Sequence, residues 1–350
     1  MGRRVLITGL STFWGGRLAQ ALEAEDDVDV IIGLDTREPT VKLERTEYVR
    51  SDENYSILSR IVKATGVDTI AHTFLVVDST QMSSRAMHEI NVIGTMNLFA
   101  AASAAGATVR SIVVKSAGLV YGSSPRDPYW FRETDTRLAP PRTRVERSLL
   151  EVESYVRDFA RDNPHVSLSL LRFSNVIGPD ISTPFVNALQ LPLVPKVAGF
   201  DPRFQLVHED DVVSAILFAL DRRVPGIFNV AGDGMLPWSE ITAIVGKRGI
   251  PMPPFGMGMA TEPLRRLGLL DLPPELVDLL KYGRGMDNRR FKQAGFDYGY
   301  TSAGAVEAFA EALRLRRTVG DHDPAYRYEE DVEQFFRHSP AVRRQGPGSS

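Results

Sequence analysis

The chain has 350 residues, 43% hydrophobic and 24% charged, with a formal net charge of -3. That balance suits a globular protein and speaks against a basic nucleic-acid binder or an acidic tail. No apolar run approaches the roughly 18 residues of a membrane span, the start of the chain carries no signal-peptide pattern, and no cysteine is present for disulfides or thiol chemistry, so a cytoplasmic protein is the expectation.

Val5 to Thr8 is a short β-rich stretch that runs into Gly9, then Ser11, Thr12, Phe13, Trp14 and Gly15, and on into the helical pattern Leu18, Ala19, Leu22. Strand, glycine turn and helix in that order form the dinucleotide fingerprint. Gly9 permits the tight turn, Gly15 lets the helix pack closely on the sheet, and the helix N-terminus offers N–H groups to a pyrophosphate. The middle glycine position is Thr12, where either the hydroxyl adds a phosphate contact or the Cβ pushes the dinucleotide outward. A second strand, Val28 to Leu34, ends in Asp35, which follows Gly15 by about twenty residues, the spacing of an acid that binds an adenosine ribose. A carboxylate there repels a 2′-phosphate and favours NAD over NADP, with Arg37 pulling the other way.

Farther along, Glu47 to Arg50 reads as a strand, Ser56 to Thr65 as a helix, Val67 to Phe74 as a strand, Arg85 to Ala105 as a long helix and Arg110 to Lys115 as a strand. Arg142 to Arg161 follows as a helix and Val166 to Arg172 as a strand. Alternating strands and helices predict an α/β fold, a Rossmann-type doubly wound parallel sheet with a smaller C-terminal substrate lobe. Past Asn175 the prolines Pro179, Pro184, Pro192 and Pro195 break the pattern, leaving short elements such as Gln205 to Val207, Gly226 to Val230 and a helix from Trp238. The division expected is 1–178 for the dinucleotide-binding part, with 204–232 returning to it, 179–203 and 233–316 for the substrate lobe, and 317–350 as an extension whose last residues are disordered. The methionine- and proline-rich stretch Pro251 to Met259 is suited to covering an apolar substrate or filling a gap between lobes. The six histidines, His72, His88, His165, His208, His322 and His338, show no metal-ligand spacing, and no metal is expected.

Across roughly residues 4–315 the chain resembles an extended short-chain dehydrogenase/reductase of the NAD-dependent epimerase/dehydratase type, the group that contains UDP-glucose 4-epimerase. The resemblance rests on Thr8, Gly9 and Gly15, on Asp35, Asp52 and His72, on Asn91 to Leu98, on Val120-Tyr121-Gly122, on Leu171 to Pro179, on Val207-His208 with Asp210-Asp211-Val212, and on Phe228 to Gly232. It implies NAD as cofactor, with Gly9, Ser11, Thr12, Phe13, Trp14 and Gly15 around the pyrophosphate, Asp35 on the ribose, Asp52 at the adenine and Phe74 beside the cofactor. Asn91 would brace the active-site strand. A nucleotide-sugar or other small carbonyl or alcohol would be the substrate, met by Tyr121, Asn175, Arg203 and Arg284, and the long helices would form a homodimer seam.

The same family carries a Ser or Thr just before V-Y-G, a catalytic Tyr and a Lys four residues later. Here Ala117 stands where the hydroxyl belongs and Ser116 lies one position early. With the prolines and Glu151 as anchors, Thr143 takes the tyrosine position and Arg147 the lysine position, the latter still able to bind a cofactor ribose or pyrophosphate. Neither an aliphatic hydroxyl nor a guanidinium is a base near pH 7. Three readings follow: an NAD-dependent epimerase, dehydratase or reductase with an atypical proton route through Ser116, Thr143 and a water; a catalytically degenerate NAD-binding sensor or scaffold; and an interaction protein whose groove is filled by Trp14, Phe74 and Leu75. Tyr121, Tyr129, Glu133, His208 and Asp210 are weaker proton-transfer candidates. Lys115 is expected to face solvent or an acid.

Overall fold

Short apolar runs bounded by turn residues supply the strands, and a computed structural model describes residues 2–52, 54–78, 82–254 and 273–319, with side chains to 316. In chain order the first half runs β1 (Arg3–Thr8), α1 (Phe13–Glu23), β2 (Val28–Asp35), β3 (Thr46–Arg50), α2 (Tyr55–Thr65), β4 (Thr69–His72), α3 (Ser84–His88), α4 (Thr95–Ala102), β5 (Ser111–Ala117), α5 (Arg144–Asp162) and β6 (Ser167–Phe173). With β11 (Gly226–Val230), these six strands form a seven-stranded parallel sheet ordered β11-β6-β5-β4-β1-β2-β3. This is the α/β Rossmann-type architecture. The central strands are covered on both faces, as parallel strands require, and Val5, Leu6, Ile7, Ile70, Ile112 and Val114 are all fully buried.

The long helix expected over 85–105 is interrupted by a π-helical stretch, Glu89–Gly94, between α3 and α4. Asn91 lies within it, its amide nitrogen donating to the Val76 carbonyl and its amide oxygen accepting from the Val76 N–H, both at 2.8 Å. The wider turn therefore spends its irregularity on fixing the loop after β4, a use typical of such bulges.

Beyond β6 come three two-stranded pairs. β7 (Asn175–Ile177) pairs in parallel with β10 (Leu206–His208), β9 (Arg203–Phe204) is antiparallel to β12 (Leu236–Pro237), and β8 (Leu193–Val197) is parallel to β13 (Arg248–Met252). The helices of this half are α6 (Pro184–Gln190), α7 (Glu209–Arg222), α8 (Trp238–Ile244), α9 (Pro274–Tyr282), α10 (Arg289–Gln293) and α11 (Ser302–Val319). His208 caps α7, its Nδ1 accepting from the Asp210 N–H at 3.2 Å while its ring stacks on Tyr300, so the His208 and Asp210 motif is spent on a helix start. Residues 1–309 form one unit and 310–350 a second. Residues 255–259 of the methionine-rich stretch and the extension from 320 on lie outside the described residues.

Candidate functional site

The turn after β1 is built by close contacts that only glycine tolerates. Gly9 sits at φ +80°, and a Cβ there would lie 2.1 Å from the Cβ of Phe74; a Cβ at Gly15 would lie 2.1 Å from the Gly9 carbonyl oxygen. Phe74 is thus the wall against which the turn is pressed. Thr12, in the middle position, caps α1: its Oγ1 accepts from the Gly15 N–H at 3.1 Å and donates to the Gly9 carbonyl at 2.6 Å. Its hydroxyl is therefore consumed inside the turn. The N–H groups of Phe13 and Trp14 have no partner among the described residues, and both residues line the neighbouring cleft. A helix N-terminus with open donors fits an anion.

At the end of β2, Asp35 Oδ2 accepts from the N–H and the hydroxyl of Ser11 at 2.9 and 2.8 Å, and Oδ1 accepts from the Arg37 N–H at 3.2 Å. Ser11 thereby orients the carboxylate along the cleft wall. A carboxylate has about four acceptor positions, which leaves capacity for a ribose hydroxyl. Asp52 and the exposed Arg37 line the same end.

The cleft runs along the C-terminal edge of the sheet and encloses about 830 Å³. Trp14, Phe74 and Leu75 form part of its wall rather than filling it, which removes the support for a blocked groove. From the Gly9 turn it passes the ends of β5 and β6, where Ser116, Ala117, Ser174 and Asn175 lie, and reaches Thr183, Phe185, Leu276, Leu279 and Arg284.

The end of β5 shows what its two faces do. Ser116 points to α5, its Oγ donating to Glu153 Oε1 at 3.0 Å. Lys115 points the other way, its Nζ lying 5.1 Å from the Trp14 ring centroid and 5.9 Å from that of Phe173. Only 5% of Lys115 is exposed, it lines the cleft, and burial pushes its amine down to about 8. This corrects the expectation of a solvated or acid-paired lysine: β5 is a central strand with helices over both faces, and no acid reaches this amine within the described residues.

Thr143 and Arg147 do not reach the cleft. Thr143 caps α5 in a capping box, its hydroxyl accepting from the Glu146 N–H at 3.3 Å while the Glu146 carboxylate accepts from the Thr143 N–H at 3.2 Å. Arg147 is exposed, donates to the Arg142 carbonyl, and lines a separate surface hollow with His88 and Glu151. The face of α5 turned to β5 is the one that bears Glu153, and four and eight residues earlier on it come Leu149 and Val145, both fully buried. Two apolar side chains therefore occupy the i, i+4 pair that faces the strand, and the proposed Ser116, Thr143 and water relay is not assembled.

Beneath the cleft lies a charged network. Arg172 donates to Glu153 through Nε at 3.0 Å and Nη2 at 2.6 Å, and through Nη1 to the Tyr121 hydroxyl at 2.7 Å. Tyr121 donates in turn to Asn229 Oδ1 at 2.8 Å, and its burial pushes the phenol up to about 12. Tyr121, 2% exposed and absent from the cleft lining, is a packing residue here rather than a substrate contact. Glu133 belongs to the same support, its carboxylate accepting from the Asn229 N–H.

Arg203 is also displaced from the cleft, donating to the Tyr129 hydroxyl at 3.1 Å on the surface. Arg284 does line the cleft, but its Nε donates to the Gly122 carbonyl at 2.9 Å and its Nη2 to Ser123 Oγ at 3.2 Å, and burial lowers its guanidinium to about 10. Phe204, beside Arg203 in β9, is packed among Phe185 and Trp238. Among the described residues no group of three or more His, Asp or Glu is placed to hold a metal, and no helix is long and apolar enough to cross a membrane.

The family model for the NAD dependent epimerase/dehydratase family matches residues 5–231, the span from the first strand of this sheet to its last. The chain belongs to that family. The chain is also similar to uncharacterized proteins of Mycobacterium tuberculosis (strain ATCC 25618 / H37Rv) and Mycobacterium bovis, each 35% identical over 327 residues that span 91% of this chain and 86% of the relative. Among solved structures, dTDP-glucose 4,6-dehydratase from Bacillus anthracis in complex with NAD superposes with a TM-score of 0.67 at 16% identity, covering 91% of this chain and 98% of that one. UDP-glucose 4-epimerase from Thermotoga maritima with UDP-glucose gives 0.67 at 19% identity, covering 90% and 99%. At such identities the epimerase/dehydratase structures share the fold with this chain.

Proposed function

We propose that this family member binds NAD in the cleft and oxidises or reduces a small alcohol or carbonyl, with nucleotide-sugars the first substrate class to test. The observation that carries the reading is the continuity of the cleft. Its first half keeps the Gly9 to Gly15 turn, the open Phe13 and Trp14 donors and the Ser11-held Asp35. Its second half continues past Asn175 to Arg284. NAD supplies hydride acceptance at its nicotinamide when bound. The chain's part is to hold the dinucleotide, exclude water with Phe74, Leu75 and Phe173, and place the substrate. Residues 179–203 and 233–316 are taken as the substrate-covering part, as a homodimer is taken for the assembly, and neither enters the chemistry.

A specific observation favours a second reading. Ala117, Val145 and Leu149 leave the β5 and α5 faces without a hydroxyl or base of the family's pattern, so the protein could instead hold NAD as a sensor or scaffold. Calorimetric titration with NAD and NADH, followed by a panel of nucleotide-sugars monitored for NADH absorbance and by product chromatography, separates the two. Binding with product formation supports the enzyme; binding with no product from any member supports the sensor. Absence of saturable binding up to millimolar NAD removes both.

A further inference from the structure

We propose that Lys115 is the cation that grips the pyrophosphate of the bound dinucleotide, a role carried here from inside the sheet by β5. The inference rests on the NAD reading above and concerns binding rather than turnover. The amine lies 5.1 Å from the centroid of the Trp14 ring, and the backbone N–H of the same residue is one of the two donors left open at the start of α1; an anion seated on that helix start and extending under the ring would meet both. The Lys115 amine has no hydrogen bond or ion pair among the described residues, although the residue is only 5% exposed.

Charged and titratable side chains on the neighbouring strands and on α1 are already committed. Arg17 of α1 pairs with Asp180 and Asp210 at 2.5 and 3.0 Å, and it also faces Glu209 of α7. Arg172 of β6 pairs with Glu153, and His72 of β4 lies between Thr8 and Thr95. A buried ammonium without a counterion is costly unless a ligand provides one. With its titration lowered only to about 8, the ammonium form still dominates at pH 7, and two aromatic faces hold it without neutralising it. The helix face that would otherwise present a cation carries Leu149 and Val145, so the sheet provides the charge that the helix lacks.

The test compares NAD, ADP-ribose and adenosine as ligands of the full chain and of Lys115→Met and Lys115→Arg, by calorimetry or ligand-observed NMR, with thermal melts as a fold control. Lys115→Met should weaken NAD and ADP-ribose about ten- to a hundredfold, the range of a charge-assisted hydrogen bond, and leave adenosine within about twofold, while Lys115→Arg should recover part of the loss. In the wild-type chain ADP-ribose, and not adenosine, should shield Lys115 from acetylation as read by peptide mass spectrometry, a measurement that stands even where the methionine variant fails to fold. Equal affinities for wild type and Lys115→Met, or an equal loss for adenosine, overturn the proposal while leaving NAD binding intact. A wild-type chain that binds neither NAD nor ADP-ribose overturns the cofactor reading and this inference with it.

Discussion

Asp35→Asn is the substitution that most directly tests the cofactor end of the cleft. The carboxylate accepts three hydrogen bonds, two from Ser11 and one from Arg37, so an isosteric amide must turn its NH₂ toward one of those donors or toward the ribose. One charge-assisted bond is weakened, which costs about 1.5 kcal/mol and raises the NAD Kd about tenfold. NADP responds with the opposite sign. A carboxylate about 5 Å from a 2′-phosphate charge is repelled by about 3 kcal/mol at an effective dielectric of about 20, so removing the charge should tighten NADP by on the order of a hundredfold or more. The exposed Arg37 on the same wall adds to that gain once its acidic neighbour is gone. Titration of both chains with NAD and NADP at fixed ionic strength gives the ratio of dissociation constants. A ratio that stays within about threefold of wild type, with the variant still folded, refutes the placement of the ribose against Asp35.

Three further outcomes follow from the site. Arg172→Met removes the main partner of Glu153, which is 1% exposed, leaving it the Ser116 hydroxyl and a 3.5 Å contact with Arg157, and should cost about 3 kcal/mol in urea unfolding; a loss under about 1 kcal/mol would show that the network bears little. Thr143→Ala removes the α5 capping box and should lower stability by about 1 kcal/mol with NAD affinity unchanged, so a tenfold loss of affinity would return Thr143 to the cleft. His72 is buried with Nδ1 2.7 Å from the Thr8 hydroxyl and Nε2 2.9 Å from the Thr95 hydroxyl. The Thr95 hydroxyl is spent on the Asn91 carbonyl, so Nε2 carries the proton and Nδ1 accepts. Burial lowers this imidazole to about 3. The unfolded chain then binds a proton that the folded chain does not, and stability is lost as pH falls from about 6.5 toward 3, by up to about 1.4 kcal/mol per unit. His72→Gln should flatten that slope in pH-dependent unfolding, and an unchanged slope would mean that other groups set it.

Much of the cofactor half could be read from the chain because it is local. Gly9, Gly15 and Asp35 act through a turn, a helix start and a strand end that sit within one βαβ unit, and the structure places them on one cleft. The register of α5 was harder to read, since Glu151 and Glu153 are two residues apart and either could anchor the helix. Two residues are about 200° of helical rotation, enough to exchange the buried face for the exposed one. The apolar spacing Val145, Leu149, Val152 and Val156, all buried, was the available signal: it marks the inward stripe and places Thr143 and Arg147 off it.

Lys115 was hidden for a different reason. Its burial depends on β5 lying between β4 and β6, an order produced by crossovers that no local pattern encodes. Within the strand, the residues before it, Ile112, Val113 and Val114, form a continuous apolar run rather than an alternating one, which marks a strand covered on both sides. A lysine directly after such a run, before the strand has ended, has no solvated face to turn to. Its charge must meet an acid, lose its proton or await a ligand, and the structure supplies no acid among the described residues. Continuity of an apolar run up to a cationic residue is therefore a usable sign of a ligand-facing charge in a central parallel strand. Alternation would have argued for a solvated one.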